Sequence, residues 1–149
     1  MAVEWQLVVD SAEPIALSRF WAEALGYEPE DNSALIERLA ADGVVTGEHY
    51  TVVDGRKAWI TAAAIRHPDD PVQEFTGFGL GRRLLFQAVP EAKSVKNRLH
   101  IDLRVGPERR DAEVERVRAL GASVVREVVE PGTHHVTMVD PEGNEFDVQ

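Results

Sequence analysis

Hydrophobic positions along the chain change their period several times. Val3, Trp5, Leu7 and Val9 alternate with Glu4, Gln6 and Val8, the two-residue period of a strand. Pro14 suits a first helical turn, and Leu17, Phe20, Trp21, Ala24 and Leu25 then fall on one helical stripe that stops at Gly26. Ser33 caps a shorter predicted helix, with Leu35, Ile36 and Leu39 inward and Gly43 as its stop. Residues 50–53, the turn Asp54-Gly55 and residues 57–65 predict a hairpin. A loop rich in Pro, Asp and Gly covers 67–81, and 83–89 predicts a strand.

The same order then recurs. In 98–105, Leu99, Ile101, Leu103 and Val105 share one face, and Arg98, His100, Asp102 and Arg104 the other. A charged helix over 108–120 ends at Gly121, and strands are expected over 122–129, 134–139 and 144–148. Ala24-Leu25-Gly26 and Ala119-Leu120-Gly121 mark the same point in each half, which registers Gln6 with His100. The reading is a single α+β domain, 1–149, built of two tandem βαβββ modules, about 1–92 and 97–149. Phe20, Leu25, Leu84, Phe86, Ile101, Leu103, Val117 and Leu120 take the apolar phase of their elements and are expected inside. Trp5 and Trp21 are expected to join them.

Composition narrows the function. A net charge of −10 disfavours nucleic-acid binding, and the absence of Cys removes thiolate ligands, thiol nucleophiles and disulfides. The N-terminal residues lack a signal-peptide pattern and no apolar stretch is long enough to span a bilayer, so a cytoplasmic protein without membrane contact is expected. Within 82–104 the bases Arg82, Arg83, Lys93, Lys96, Arg98 and Arg104 face only Glu91 and Asp102. This positive zone runs into His100 and either attracts an anionic small molecule, through Lys96 and Arg98, or pairs with the acidic half. Trp59 is a further candidate for the pocket wall. His134 and His135 are adjacent on a strand and point to opposite faces, so one of them can line a cleft. No Ser-His-Asp order, phosphate loop or dinucleotide fingerprint is present.

Several segments together resemble the vicinal oxygen chelate superfamily of glyoxalase I, extradiol dioxygenases and bleomycin-resistance proteins. They are Arg19-Phe20-Trp21 with Ala24-Leu25-Gly26, Leu84-Leu85-Phe86-Gln87 with Val89-Pro90-Glu91, Lys96-Asn97-Arg98-Leu99-His100-Ile101-Asp102-Leu103, and Asp140-Pro141-Glu142-Gly143-Asn144-Glu145-Phe146. The chain looks most like the actinobacterial type of glyoxalase-like domain, with residues 28–80 matching loosely. The resemblance implies two modules curled around a cleft, and a homodimer. It also implies one divalent metal ion held by a residue of the first and last strand of each module, here Gln6, Gln87, His100 and Asp147.

Asp147 stands where Glu is usual and Gln87 where Glu or His is usual, and Glu145 shares the strand face of Asp147. Asp102 shares the face of His100, either supporting it or pairing with a neighbouring arginine. One imidazole, one carboxylate and two amides make a weak metal site, so the first expectation is a small-molecule binder of the metal-free, drug-sequestering type. The alternative is a metal-dependent lyase, isomerase or dioxygenase, with His100 and Asp147 as its catalytic residues and a substrate carrying neighbouring oxygens.

Overall fold

Each half of the chain opens with a strand whose partner is the last strand of the same half. In the computed structural model, which describes residues 1–149, β1 (Leu7–Ser11) runs parallel to β6 (Arg83–Ala88), with Leu7 opposite Leu84 and Asp10 opposite Gln87. β7 (Asp102–Leu103) runs parallel to β10 (Glu145–Val148), with Asp147 opposite Asp102. A parallel pair needs a long connection. In the first half it contains α1 (Pro14–Leu25), β2 (Glu28–Pro29), α2 (Ser33–Ala41), β3 (Tyr50–Val53), β4 (Arg56–Trp59) and β5 (Ala62–Arg66). In the second it contains α3 (Arg110–Leu120), β8 (Ser123–Glu130) and β9 (Thr133–Val139).

The sheet orders are β1-β6-β5-β2 and β7-β10-β9-β8. With α2 and the β3–β4 hairpin taken as an insertion, the two orders are the same, which is the expected pair of βαβββ modules. The insertion occupies the stretch whose pattern was least regular.

Strand alternation directs Leu7, Val9, Leu84, Phe86 and Ile65 of the first sheet, and Leu103, Val136, Met138, Phe146 and Val148 of the second, into one core. Leu17, Phe20 and Trp21 of α1 and Val114 and Val117 of α3 complete it. The Trp21 and Phe146 rings meet edge to face at 5.1 Å. Of the residues expected inside, Phe20, Leu84, Phe86, Leu103 and Val117 are buried, while Leu25, Ile101 and Leu120 are partly buried against the core.

Four expectations need correction. Ser33 is the first residue of α2 and not its cap: Asn32 takes the cap position, and the Ser33 hydroxyl donates to Asp31 at 2.6 Å. β1 starts at Leu7 and leaves Trp5 85% exposed, because β6 begins at Arg83 and offers no earlier partner. The strand expected over 98–105 shrinks to Asp102–Leu103 with Leu99 76% exposed, since the backbone N–H of Asn97 is bound to Glu145 and β10 first meets β7 at Asp102. The second hairpin arm divides after Trp59: β4 pairs with β3, while the small apolar run Ala62-Ala63-Ala64-Ile65 moves to β6. The turn itself is as expected, with Asp54 and Gly55 at φ 50° and 78°.

The loop before β6 is fixed by close contacts. Gly77, at φ 74°, lies so near the Asp31 carbonyl that a Cβ there would overlap it. The Asp70 carboxylate takes the Arg82 backbone N–H and both sides of its guanidinium, at 2.6, 2.9 and 2.8 Å. No helix is long and apolar enough to cross a membrane.

Candidate metal centre

The alternation that sends Phe146 and Val148 inward turns Asp147 to the opposite face of the second sheet. Its cross-strand neighbours there are Asp102 on β7 and Thr137 on β9. His100 precedes Asp102 by two residues, and its Nε2 lies 3.4 Å from Asp102 Oδ1 and 3.5 Å from Asp147 Oδ2. His135 precedes Thr137 by two residues on β9, and its Nε2 lies 3.7 Å from the same Asp147 Oδ2. Two imidazoles and two carboxylates therefore converge on one polar sheet face.

Each group except His100 is held from behind. The Thr137 hydroxyl donates to Asp147 Oδ1 at 2.7 Å, and the Gln149 amide donates to Asp102 Oδ2 at 3.0 Å. Thr133 Oγ1 lies 3.2 Å from His135 Nδ1. These contacts occupy the outer atoms and leave Asp147 Oδ2, Asp102 Oδ1 and His135 Nε2 turned toward the cluster. Such outer contacts orient metal ligands. Single ligand atoms of His100, Asp102 and Asp147 lie within 4.8 Å of one another, and neutral imidazole with carboxylate oxygen suits zinc, manganese or another divalent ion. The side chains of Asp147 and His135 are 17% and 20% exposed, against 44% for His100, so the cluster is shielded beneath and open above.

Of the four expected ligands, the structure brings His100 and Asp147 together. Gln87 belongs to the first sheet and Gln6 lies just ahead of it, and neither makes a hydrogen bond to the cluster. The Gln6 side-chain carbonyl accepts from Arg83, whose guanidinium also grips Glu30 at 2.8 and 2.7 Å. A guanidinium only donates, so the Gln6 oxygen is turned to it and the amide NH2 faces away. Gln87 is exposed.

Glu145 is committed elsewhere: it accepts from Lys93 Nζ at 3.2 Å and from the Asn97 backbone at 2.9 Å, tying the inter-module link to β10. Burial pushes its carboxyl up, but these donors outweigh that and hold it below the ordinary value. Lys96 and Arg98 are exposed in the link, with Lys96 Nζ on the Asn97 carbonyl at 3.3 Å. Trp59 lies in the separate β3–β4 hairpin. A cavity of about 620 Å³ between α1, Pro29 and Asp54 contains none of the cluster residues.

This arrangement can be set beside known proteins. The sequence profile of the glyoxalase-like domain matches residues 6–149. The chain belongs to that family. No curated protein matches it. Solved structures do. A hypothetical protein of S. aureus, SA1046, is 16% identical with a TM-score of 0.57, over 99% of this chain and 96% of that one. The fosfomycin resistance protein FosX of Mesorhizobium loti is 11% identical with a TM-score of 0.58, over 100% and 91%. A FosX variant of Listeria monocytogenes, complexed with Mn(II) and 1S,2S-dihydroxypropylphosphonic acid, is 11% identical with a TM-score of 0.58, over 100% and 90%. At these identities the likeness is one of fold.

In this glyoxalase-like domain the position of His135 was only half legible in sequence. The pair His134-His135 requires one ring on each face, and the register to Thr137 and Asp147 decides which. His134 takes the other side and meets Glu127 at 2.7 Å. Thr137 and Gln149 carried no signal in the sequence, because a hydroxyl or amide behind a carboxylate is recognisable only once the strands are paired.

Proposed function

We propose that this glyoxalase-like domain is a small-molecule-binding protein whose second module holds a divalent cation at His100, Asp102 and Asp147, with His135 beside them. On this reading its activity is that of a metal-dependent lyase, isomerase or dioxygenase acting on a substrate with neighbouring oxygens. The observation that carries it is the approach of His100 Nε2 to both carboxylates, at 3.4 and 3.5 Å. When bound, such a cation supplies Lewis-acid stabilisation of negative charge on substrate oxygen. The chain's own part is to orient the ligand on the sheet face and to move protons. His135, held through Nδ1, keeps its Nε2 beside Asp147, either as a further ligand of the cation or, where it is free of the cation, for that second task. The Mn(II) complex of the Listeria relative supports the reading by analogy of fold.

Metal content of protein purified without a metal-binding tag tests it. The expected result is about one equivalent of a divalent ion, lost in His100→Ala. A chain that neither retains nor rebinds manganese, zinc or nickel refutes it.

One observation favours a metal-free reading, in which the face only sequesters its ligand. His100 Nε2 lies 3.4 Å from Asp102 Oδ1 and 3.5 Å from Asp147 Oδ2, so the imidazole itself bridges the two carboxylates. Ligand binding undiminished by EDTA supports that version.

We further propose a homodimer. β1 and β7 each have a partner on one side only, and Trp5 and Leu99, just ahead of them, stand exposed. Setting β1 of one copy against β7 of another covers both edges and brings Gln6 and Gln87 up to His100 and Asp147. Light scattering giving only a monomer at micromolar concentration rules this out.

A further inference from the structure

Strand register lays four side chains in a row across the face that carries the cluster. Arg126 on β8 is opposite Thr137 on β9, Thr137 is opposite Asp147 on β10, and Asp147 is opposite Asp102 on β7. Residues directly opposite one another share a face. Arg126 therefore ends a row whose other end is the His/Asp group, two strand spacings, about 10 Å, from Asp147.

Arg126 holds this place because of a bulge. Val124 is opposite Met138, and the next pair is Arg126 with Thr137, so Val125 is the extra residue. In a regular ladder Val125 would face Thr137, and Glu127 would stand opposite His135. The bulge moves both, giving Arg126 opposite Thr137 and Val128 opposite His135, while Glu127 crosses to the other face and meets His134. One inserted residue thus replaces an apolar and an acidic side chain on this face by a cation and an apolar one. Bulges beside functional faces commonly re-aim a side chain in this way.

The guanidinium is also unengaged. Nine other arginines each hold a carboxylate. Arg126 makes no ion pair and no side-chain hydrogen bond, although the chain carries 26 acidic residues against 16 basic ones. Its neighbour in the row is a hydroxyl already donated to Asp147.

We propose that Arg126 forms an anion subsite, so that the ligand is a small oxygenated anion lying across Thr137. Its neighbouring oxygens meet the His100–Asp102–Asp147 cluster and its phosphate, phosphonate or carboxylate meets Arg126. This rests on the reading of the cluster as the ligand site. A guanidinium fork suits such a group better than an ammonium does.

Two probes separate the parts. Glycerate and 3-phosphoglycerate share a hydroxyl beside a carboxylate, and only the second adds a phosphate. Calorimetric titration of manganese-loaded protein, and of protein in EDTA, gives both affinities. The expected result is 3-phosphoglycerate bound about tenfold more tightly than glycerate, a charge-assisted contact being of that order. Arg126→Met, which keeps most of the stem, brings the two within about twofold, and Arg126→Lys restores part of the gap. A gap unchanged in Arg126→Met, or no gap in the wild type, overturns the subsite and leaves Arg126 as a charge guarding an edge strand. Glycerate binding that survives His100→Ala overturns the cluster reading instead. Absence of binding by either probe to the wild-type protein overturns both.

Discussion

Trp21 donates its indole N–H to Asp140 at 3.0 Å and so fastens the helix of one module to a turn of the other, 119 residues away. Asp140 is 3% exposed, and it also accepts from the backbone of Glu142 and Asn144 and from the Asn144 amide. The Asp-Pro-Glu-Gly-Asn turn is thereby a clasp and not a part of the site. Asp140→Ala strands the indole N–H and two backbone N–H groups, so it should cost about 3 kcal/mol. Urea unfolding measures this. A loss under about 1 kcal/mol shows that water replaces the carboxylate.

Glu142 in the same clasp is a cap-like anchor for the residues just ahead of α1. The cap residue Glu13 binds no helical N–H with its own side chain, but its backbone N–H is held by Ser11 Oγ at 3.1 Å and by Glu142 at 2.8 Å, and Glu142 also accepts from Ala12 N at 3.1 Å and Ser11 Oγ at 2.9 Å. Its charge also opposes the positive end of the helix. Glu142→Ala should lower stability by about 1 kcal/mol, within the range of a lost cap. Glu142→Gln should recover the bonds to one oxygen but not the charge. Equal stability of wild type and Glu142→Ala discards this anchor.

The repeat was legible because its elements are strongly periodic: the apolar stripe of α1 and the alternation at Leu84 and Phe86 set the core and the module order. Legibility failed where a partner decides the outcome. The alternation at Trp5 and Leu99 matches that of a strand, but no strand lies opposite, and both side chains remain outside. His100 and Asp147 followed from repetition and motif position. Asp102 was seen on the right face, as a support for His100 or the partner of an arginine and not as a ligand, and His135 required the register of β9 with β10. Gln6 shows the reverse case: its position matched the motif, yet Arg83 takes its carbonyl oxygen.

Arg83 itself is a sensitive position. Its side chain is 14% exposed and its Glu30 partner 1% exposed, and Glu30 also accepts the Gly79 N–H at 2.7 Å. Arg83→Met leaves that carboxylate buried with one neutral donor, which should destabilise the fold by about 3–5 kcal/mol. Arg83→Met combined with Glu30→Gln should regain a large part of this. A single Arg83→Met variant as stable as the wild type rejects the pair as a structural element.

Acid should loosen the junction of the two helices. Arg116 donates to the Glu23 and Ala24 carbonyls at the end of α1, at 3.0 and 2.7 Å, while both sides of its guanidinium hold Glu113. The Arg116 hydrogen bonds hold the Glu113 carboxyl below its ordinary 4.5, against the upward push of burial. Because the folded value is the lower one, the unfolded chain takes up the proton first. The stabilisation is present above about pH 4.5 and is lost as pH falls through the folded value. Asp70, lowered by Arg82, and Asp31, lowered by the Ser33 hydroxyl and N–H, act in the same sense. Urea midpoints measured between about pH 6 and about pH 3 should fall less for Glu113→Gln than for the wild type. Parallel curves remove Glu113 from the account.

The arrangement behind the cluster gives the last prediction. Thr137 fixes one oxygen of Asp147, which leaves the other for His100 and His135. Removing such a support while keeping shape typically lowers metal affinity by about 10–100-fold. Thr137→Val deletes the donor from a site that is 8% exposed and changes little in volume, so the fold should lose only about 1 kcal/mol. His135→Gln should weaken manganese binding about tenfold if its Nε2 completes the ligand set. His100→Ala, which removes the nitrogen nearest both carboxylates, should abolish it. Manganese affinity from electron paramagnetic resonance titration ranks the three variants without relying on any reaction. The expected order of loss is His100→Ala above the other two. If Thr137→Val and His135→Gln bind manganese as the wild type does while His100→Ala does not, the ion sits with His100 and Asp102 alone, and the supports on β9 serve only the sheet.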